Sequence, residues 1–271
     1  MSPFENTLCI GGASIRVTSI GEGSGIVFLH AGVADRRMWS KSLAHFGKHN
    51  LAMAYDRRGF GETQSPDEAF SHVQDLKAVL DDLGLDRPVL VGCSQGGRLA
   101  VDFTLRYPAK VSAVVLAAPA ISGADNPSTF SPEIAAAFQK LDAAEQQSDE
   151  ALINDAEAHL WLDGPASEEG RVTGPLRDLF LDMNGIALAH PELTKEIQPK
   201  SSMDQLQSIE VPTLIVWGNL DFPHIQDRCI LIGRSIPNAT TEVIEECAHL
   251  VNLEQPKIFN GLVEQFVASR L

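Results

Sequence analysis

Val89-Leu90-Val91-Gly92-Cys93-Ser94-Gln95-Gly96-Gly97 starts as an apolar run, breaks at Gly-x-Ser-x-Gly and passes without a spacer into a helix-like segment. An apolar run of this length, bounded by a turn, reads as a buried strand. A serine on so sharp a strand-to-helix turn needs a strained backbone. Its neighbours two positions away on either side must be small, because strand and helix nearly collide there. Gly92 and Gly96 meet that demand for Ser94. Cys93 would be the stronger nucleophile as a thiolate, but the residues two away from it are Val91 and Gln95. The bland reading is a glycine-rich turn without chemistry; the strand before it and the helix after it favour a nucleophile at Ser94.

Outward from this turn, strand-like and helix-like patterns alternate. Residues 25–30 (GIVFLH) and 51–55 (LAMAY) are short apolar runs, each ending in a glycine-containing turn. Between 70 and 83 the apolar residues Phe70, Val73, Leu76, Val79, Leu80 and Leu83 recur at helical steps, and Gly84 ends the pattern. A strand follows over 88–92, a helix over 95–107 halted by Pro108, and a strand over 111–118. Strand signals then vanish between about Ile121 and Ser208, leaving helix-like segments near 132–147, 149–162 and 175–190. The alternation resumes with a strand over 211–217, a helix around 226–235, a strand over 241–244 and a helix from about Pro256. This pattern implies an α/β fold with a mostly parallel central sheet flanked by helices. Residues 1–120 and 209–271 would form one core domain, and 121–208 an inserted helical cap.

Composition narrows the function. Hydrophobic residues make up 44% of the 271 and charged residues 21%, enough to bury a large interior. The formal charge of -15 repels phosphate backbones and anionic lipid headgroups, so neither nucleic acid nor a membrane is an expected partner. The acidic excess by itself says no more than solubility. The first dozen residues lack the basic start and long apolar run of a secretory signal, which points to a cytoplasmic location. Cys9, Cys93, Cys229 and Cys247 have no paired spacing, so reduced thiols are expected rather than a disulfide framework or a metal site. The expected partner is a small-molecule substrate, with no cofactor, in a monomer or homodimer.

The segments HAGVADRRMW (30–39), DRRGFGET (56–63), GCSQGG (92–97), WGNLD (217–221) and CAHLVNLEQP (247–256) occur in this order and spacing. In them the chain resembles the α/β-hydrolase superfamily, and specifically its capped serine hydrolases such as enol-lactonases, carboxylesterases and meta-cleavage-product hydrolases. The resemblance implies His249 as general base and Asp221 as the acid that orients it, with Asp227 as the fallback acid. The family's other location for the acid offers only Ala118-Pro119-Ala120-Ile121 and no carboxylate. It also implies an oxyanion hole from the backbone N–H of Gln95 and that of Gly32, with Val33 as alternative. His30 and Asp56 then read as supports for their turns.

Of the other histidines, His45, His49, His72, His159 and His190 lie in helix-like or helix-terminal segments and read as solvated or packed. His224, three residues after Asp221, reads as structural or pocket-lining. Gln95 stands where many relatives carry Met or Leu, and its side chain either hydrogen-bonds inside the pocket or points away. Apolar residues at helical spacing in the cap are usually packing, but some should roof the site. Val33, Trp161, Phe180, Met183 and His224 are the candidate pocket residues, implying a small, partly apolar substrate. The reaction implied is hydrolysis of a carboxylic ester or lactone through an acyl-enzyme. Hydrolysis of a carbon–carbon bond in a vinylogous diketone, or slow-turnover ligand binding in signalling, are the alternatives.

Overall fold

Strands covered on both faces need apolar side chains at every position, and this is how the central runs are used. The computed structural model describes residues 2–125 and 127–268. Its eight strands are β1 (Phe4–Ile10), β2 (Ala13–Ile20), β3 (Gly25–Leu29), β4 (Leu51–Tyr55), β5 (Val89–Cys93), β6 (Ala113–Ala117), β7 (Thr213–Gly218) and β8 (Ala239–Ile244). They form one sheet in the order β1-β2-β4-β3-β5-β6-β7-β8. Pairing is parallel from β4 through β8, and antiparallel between β1 and β2 and between β2 and β4. All residues of β5, β6 and β7 are buried, whereas β1 is mostly exposed.

The sheet is flanked by α1 (Ser40–Phe46), α2 (His72–Asp82) and α3 (Gln95–Arg106). Between β6 and β7 come α4 (Pro132–Gln147), α5 (Glu150–Ala158) and α6 (Pro175–Ala189), with a π-helical turn at His159–Asp163 after α5. After β7 come α7 (Pro223–Ser235), α8 (Val251–Glu254) and α9 (Pro256–Ala268). No helix among the described residues is long and apolar enough to cross a membrane.

The parallel sheet and its alternating helices agree with the sequence reading, with three differences. The first twenty-odd residues form an antiparallel hairpin, which the patterns left unassigned. The helix expected from Phe70 starts at His72, because Phe70 instead pairs with the segment before β7: Ile197 N–H donates to Phe70 O at 2.7 Å. The helix expected over 149–162 gives way after Ala158 to the wider π turn.

The loops at the carboxyl end of β3 and β4 are fastened to each other through buried polar groups. Asp56 accepts hydrogen bonds from Arg36 N–H (2.7 Å), Arg36 Nη1 (2.6 Å) and Glu62 N–H (2.9 Å). His30 Nε2 accepts from Arg57 N–H at 3.0 Å, and its Nδ1 lies 2.7 Å from Ala31 O. A carbonyl only accepts, so Nδ1 carries the proton and the ring is neutral. Burial, with the Arg57 charge adding to it, holds this imidazole well below its ordinary pKa.

The unfolded chain titrates this histidine near about 6.5, so below that pH it binds a proton that the folded chain does not. His30 therefore costs stability as the pH falls, by about 1.4 kcal/mol per pH unit below about 6.5. Urea titrations between about pH 7.5 and about pH 5.5 should show a steeper loss in the wild type than in His30→Asn, which lacks the titrating ring. Equal slopes would mean that folded His30 takes up the proton freely.

Candidate active site

Ser94 links the last residue of β5 to the first of α3 with φ 51° and ψ −114°. For a residue other than glycine such a conformation costs about 1–3 kcal/mol and persists only when its surroundings enforce it. They do so here through the backbone. Ser94 N–H donates to Ala117 O at 2.9 Å, and Ser94 O accepts from the N–H groups of Arg98 and Ala120, both at 3.0 Å. A Cβ on Gly92 would come within 2.2 Å of Gly96 O, and one on Gly96 within 2.1 Å of Leu29 O. The two glycines are thus required by close approach, and the turn lifts Ser94 to a half-buried position.

Cys93, one residue earlier, is buried, and burial pushes its thiol up, with the negative Asp221 adding to the shift. It stays protonated near neutral pH, so it is no thiolate nucleophile. Its Sγ lies 3.9 Å from the backbone oxygen of His249, which places the histidine loop against the Ser94 turn.

That loop follows β8 and is held from several sides. Leu220 N–H donates to Cys247 O at 2.9 Å, and a Cβ on Gly218 would come within 2.0 Å of the same oxygen. Glu254 Oε1 accepts from Ala248 N–H at 2.8 Å, while Glu254 Oε2 pairs with Arg171 at 2.5 Å. Arg171 lies between α5 and α6 and also donates to Leu162 O at 2.8 Å. The loop bearing His249 is therefore tied both to the end of β7 and to the segment between β6 and β7.

His249 and Asp221 are 2% and 3% exposed, and His249 Nδ1 lies 2.8 Å from Asp221 Oδ2. The other carboxylate oxygen accepts from Phe222 N–H at 2.7 Å. A carboxylate accepts only, so Nδ1 carries a proton, and in the neutral ring Nε2 is then the nitrogen with the free lone pair. His249 Nε2 is buried with no hydrogen-bond partner among the described residues. The structure thus joins acid to imidazole and sets the histidine loop beside the serine turn, without a hydrogen bond between Nε2 and Ser94 Oγ. Asp227 is exposed on α7 and is not the partner of His249.

The N–H groups of Gly32, Val33 and Gln95 find no acceptor among the described residues. The Gln95 side chain turns inward: its Nε2 would lie 2.3 Å from a Cβ on Gly32, and its Oε1 accepts from Arg57 Nη2 at 3.2 Å. Arg57 is 2% exposed, its guanidinium 4.5 Å from the Phe60 ring centre, and burial pulls its pKa down to about 10.

Among the pocket candidates, Trp161 packs on His249 and on Phe222, with ring centres 4.9 Å apart in each case. His224 is 5.3 Å from Phe222 by the same measure, and burial lowers its pKa. Val33 is half-buried. Phe180 and Met183 are fully buried within the cluster that holds Ala31, Val91 and Leu162, where they act as packing. Sequence reasoning passed over Phe222, although it directly follows Asp221, and over Arg57, Arg98 and Arg228. Among the described residues no three His, Cys, Asp or Glu side chains converge as a metal site.

A mostly parallel sheet with a serine-bearing strand-to-helix turn, and an Asp–His pair on loops after later strands, defines the class of α/β hydrolases. Residues 26–256 match the family model described as the alpha/beta hydrolase fold, and the chain belongs to that family. It is similar to the 2-hydroxy-6-oxo-2,4-heptadienoate hydrolase of Pseudomonas putida, 28% identical over 96% of this chain and 94% of that protein. It is also similar to carboxylesterase YbfK of Bacillus subtilis, 26% identical over 89% of this chain and 79% of the relative. The crystal structure of the enol-lactonase from Burkholderia xenovorans superposes with a TM-score of 0.75 at 21% identity, covering 97% of this chain and 99% of that one.

Proposed function

We propose that the chain is a serine hydrolase of small carboxylic esters or lactones. Ser94 attacks the carbonyl carbon, and His249 Nε2 takes the serine proton as the new bond forms. Asp221 holds the imidazole in the tautomer that leaves Nε2 free to accept, and stabilises the imidazolium. The N–H groups of Gly32 and Gln95, with Val33 as alternative to Gly32, stabilise the oxyanion; losing one such donor typically costs about 3 kcal/mol of barrier. The tetrahedral intermediate collapses as His249 returns the proton to the leaving alcohol oxygen. Water, activated by the same imidazole, then releases the acid from Ser94.

The observation that carries this reading is the buried 2.8 Å His249–Asp221 pair, whose far nitrogen is unpartnered, on a loop that touches Cys93 of the strained Ser94 turn. The similarity to a carboxylesterase supports the ester chemistry. The aromatic wall of Trp161 and Phe222 supports a partly apolar substrate. A second reading, hydrolysis of a carbon–carbon bond, is supported by the relative whose named substrate contains no ester linkage. There the proton would go to carbon rather than to oxygen.

A fluorophosphonate probe followed by intact mass and peptide mapping tests the nucleophile: a single adduct on Ser94 is expected. An adduct elsewhere, or none, overturns the assignment. Parallel assays on aryl esters, lactones and a vinylogous diketone separate the two reactions.

A further inference from the structure

A cavity of about 330 Å³ lies between α3 and α7, lined by Arg98, Arg228, Ala120, Ser122, Gly123 and Gln198 among others. Two of its lining residues are bonded to the backbone of the Ser94 turn: the N–H groups of Arg98 and of Ala120 both donate to the carbonyl oxygen of Ser94, at 3.0 Å. Arg228 projects from α7, the helix that follows Asp221 and Phe222. No Asp or Glu lines the cavity.

Neither arginine holds a carboxylate among the described residues. In a chain of formal charge -15, Arg36, Arg37, Arg58, Arg171 and Arg177 each hold a carboxylate within 3 Å. Arg98 and Arg228 are both half-buried, yet neither side chain makes an ion pair or hydrogen bond to any described residue. Burial pulls the Arg228 pKa down, with the charge of Asp221 opposing the shift. The neighbouring carboxylates are engaged elsewhere. Both Asp221 oxygens are taken by His249 and Phe222 N–H. Asp102, one turn beyond Arg98, accepts the hydroxyls of Ser122 (2.8 Å) and Ser202. Glu196, which lines a neighbouring pocket with Arg98, accepts from Gln198 Nε2 at 2.9 Å.

We propose that this cavity is a subsite for a carboxylate carried by the substrate, with Arg98 and Arg228 as its two ligands. Half-desolvated guanidinium groups are the side chains best suited to a planar carboxylate, which they hold through paired N–H donors. One anion seated between them would give each arginine the direct hydrogen-bonded carboxylate that no described residue supplies. The inference rests on Ser94 being the nucleophile and specifies the substrate as an ester or lactone bearing a second, ionised acid group near the scissile bond.

The test compares the para-nitrophenyl monoester of glutaric acid with para-nitrophenyl butyrate, reading the ratio of their kcat/KM values. The ratio should favour the anionic ester, and Arg98→Gln and Arg228→Gln should each lower it about tenfold or more, the usual effect of losing a charge-assisted hydrogen bond. Neither arginine has a carboxylate to abandon, so both variants should fold, which circular dichroism melts check. A ratio near one in the wild type, or a ratio untouched in both variants, overturns the subsite. Calorimetric binding of glutarate to the Ser94→Ala protein reads the cavity without turnover, and should weaken with either arginine replaced. Absent binding, or inorganic phosphate binding as tightly as glutarate, overturns the assignment to a carboxylate. Failure of the hydrolase reading shows differently, as no turnover of either ester and no label on Ser94.

Discussion

Ser94→Ala should lower kcat by about a millionfold, the scale seen when a serine hydrolase loses its nucleophile, with the residue left by binding and oxyanion donors. The fold should not register the change. Ser94 Oγ makes no hydrogen bond to the described residues, so its removal orphans no buried group. Alanine keeps the same Cβ, and so meets the same backbone at φ 51°. The melting curve should therefore stay close to wild type, since a change that deletes no packing or hydrogen bond falls within about 0.5 kcal/mol. An active-site titration alongside the steady-state assay excludes contaminating wild type. A variant retaining more than about a thousandth of the activity would place the nucleophile elsewhere. Cys93 is the only other nucleophilic side chain at this turn, and its buried, protonated thiol makes it a poor substitute.

How much of this was legible in the sequence depends on whether the constraint is local. The turn at Ser94 was readable because the requirement for Gly92 and Gly96 is imposed within five residues, and the distances to Gly96 O and Leu29 O show that requirement directly. The strands β3 to β7 were readable because burial on both faces makes them continuous apolar runs. In the N-terminal hairpin β1 is largely exposed and shows no clean alternation, whereas β2 does alternate, with Ala13, Ile15 and Val17 buried, a signal the sequence reading passed over. Helical spacing alone could not separate core from pocket in the helices between β6 and β7. Trp161 meets His249, whereas Phe180 and Met183, drawn from the same kind of stripe, are fully buried packing. The inward course of Gln95 depends on Arg57, 38 positions earlier in the chain, and no local pattern reports it. The cavity between Arg98 and Arg228 joins helices 130 residues apart, so only the folded chain brings these charges together.

Asp221→Asn should lower kcat by about ten-thousandfold near neutral pH, by the tautomer effect known for the Asp of the chymotrypsin-type triad. The structure says why the amide cannot mimic the carboxylate. Asp221 Oδ1 accepts from Phe222 N–H at 2.7 Å, so the asparagine must keep its carbonyl oxygen there. Its NH2 group then faces His249 Nδ1, at the position where Oδ2 now accepts at 2.8 Å. Two donors cannot share that contact, so the imidazole must move its proton to Nε2. Nε2 would then offer a proton where a lone pair is needed, and Ser94 would have no base. The fold should tolerate the change because size and shape are kept. Asp227→Asn is the control, an exposed carboxylate apart from His249, and should stay within a few-fold of wild type. Comparable losses in the two variants, or a small loss in Asp221→Asn, would mean that the buried carboxylate does not set the tautomer, and that the 2.8 Å contact is structural support for the loop.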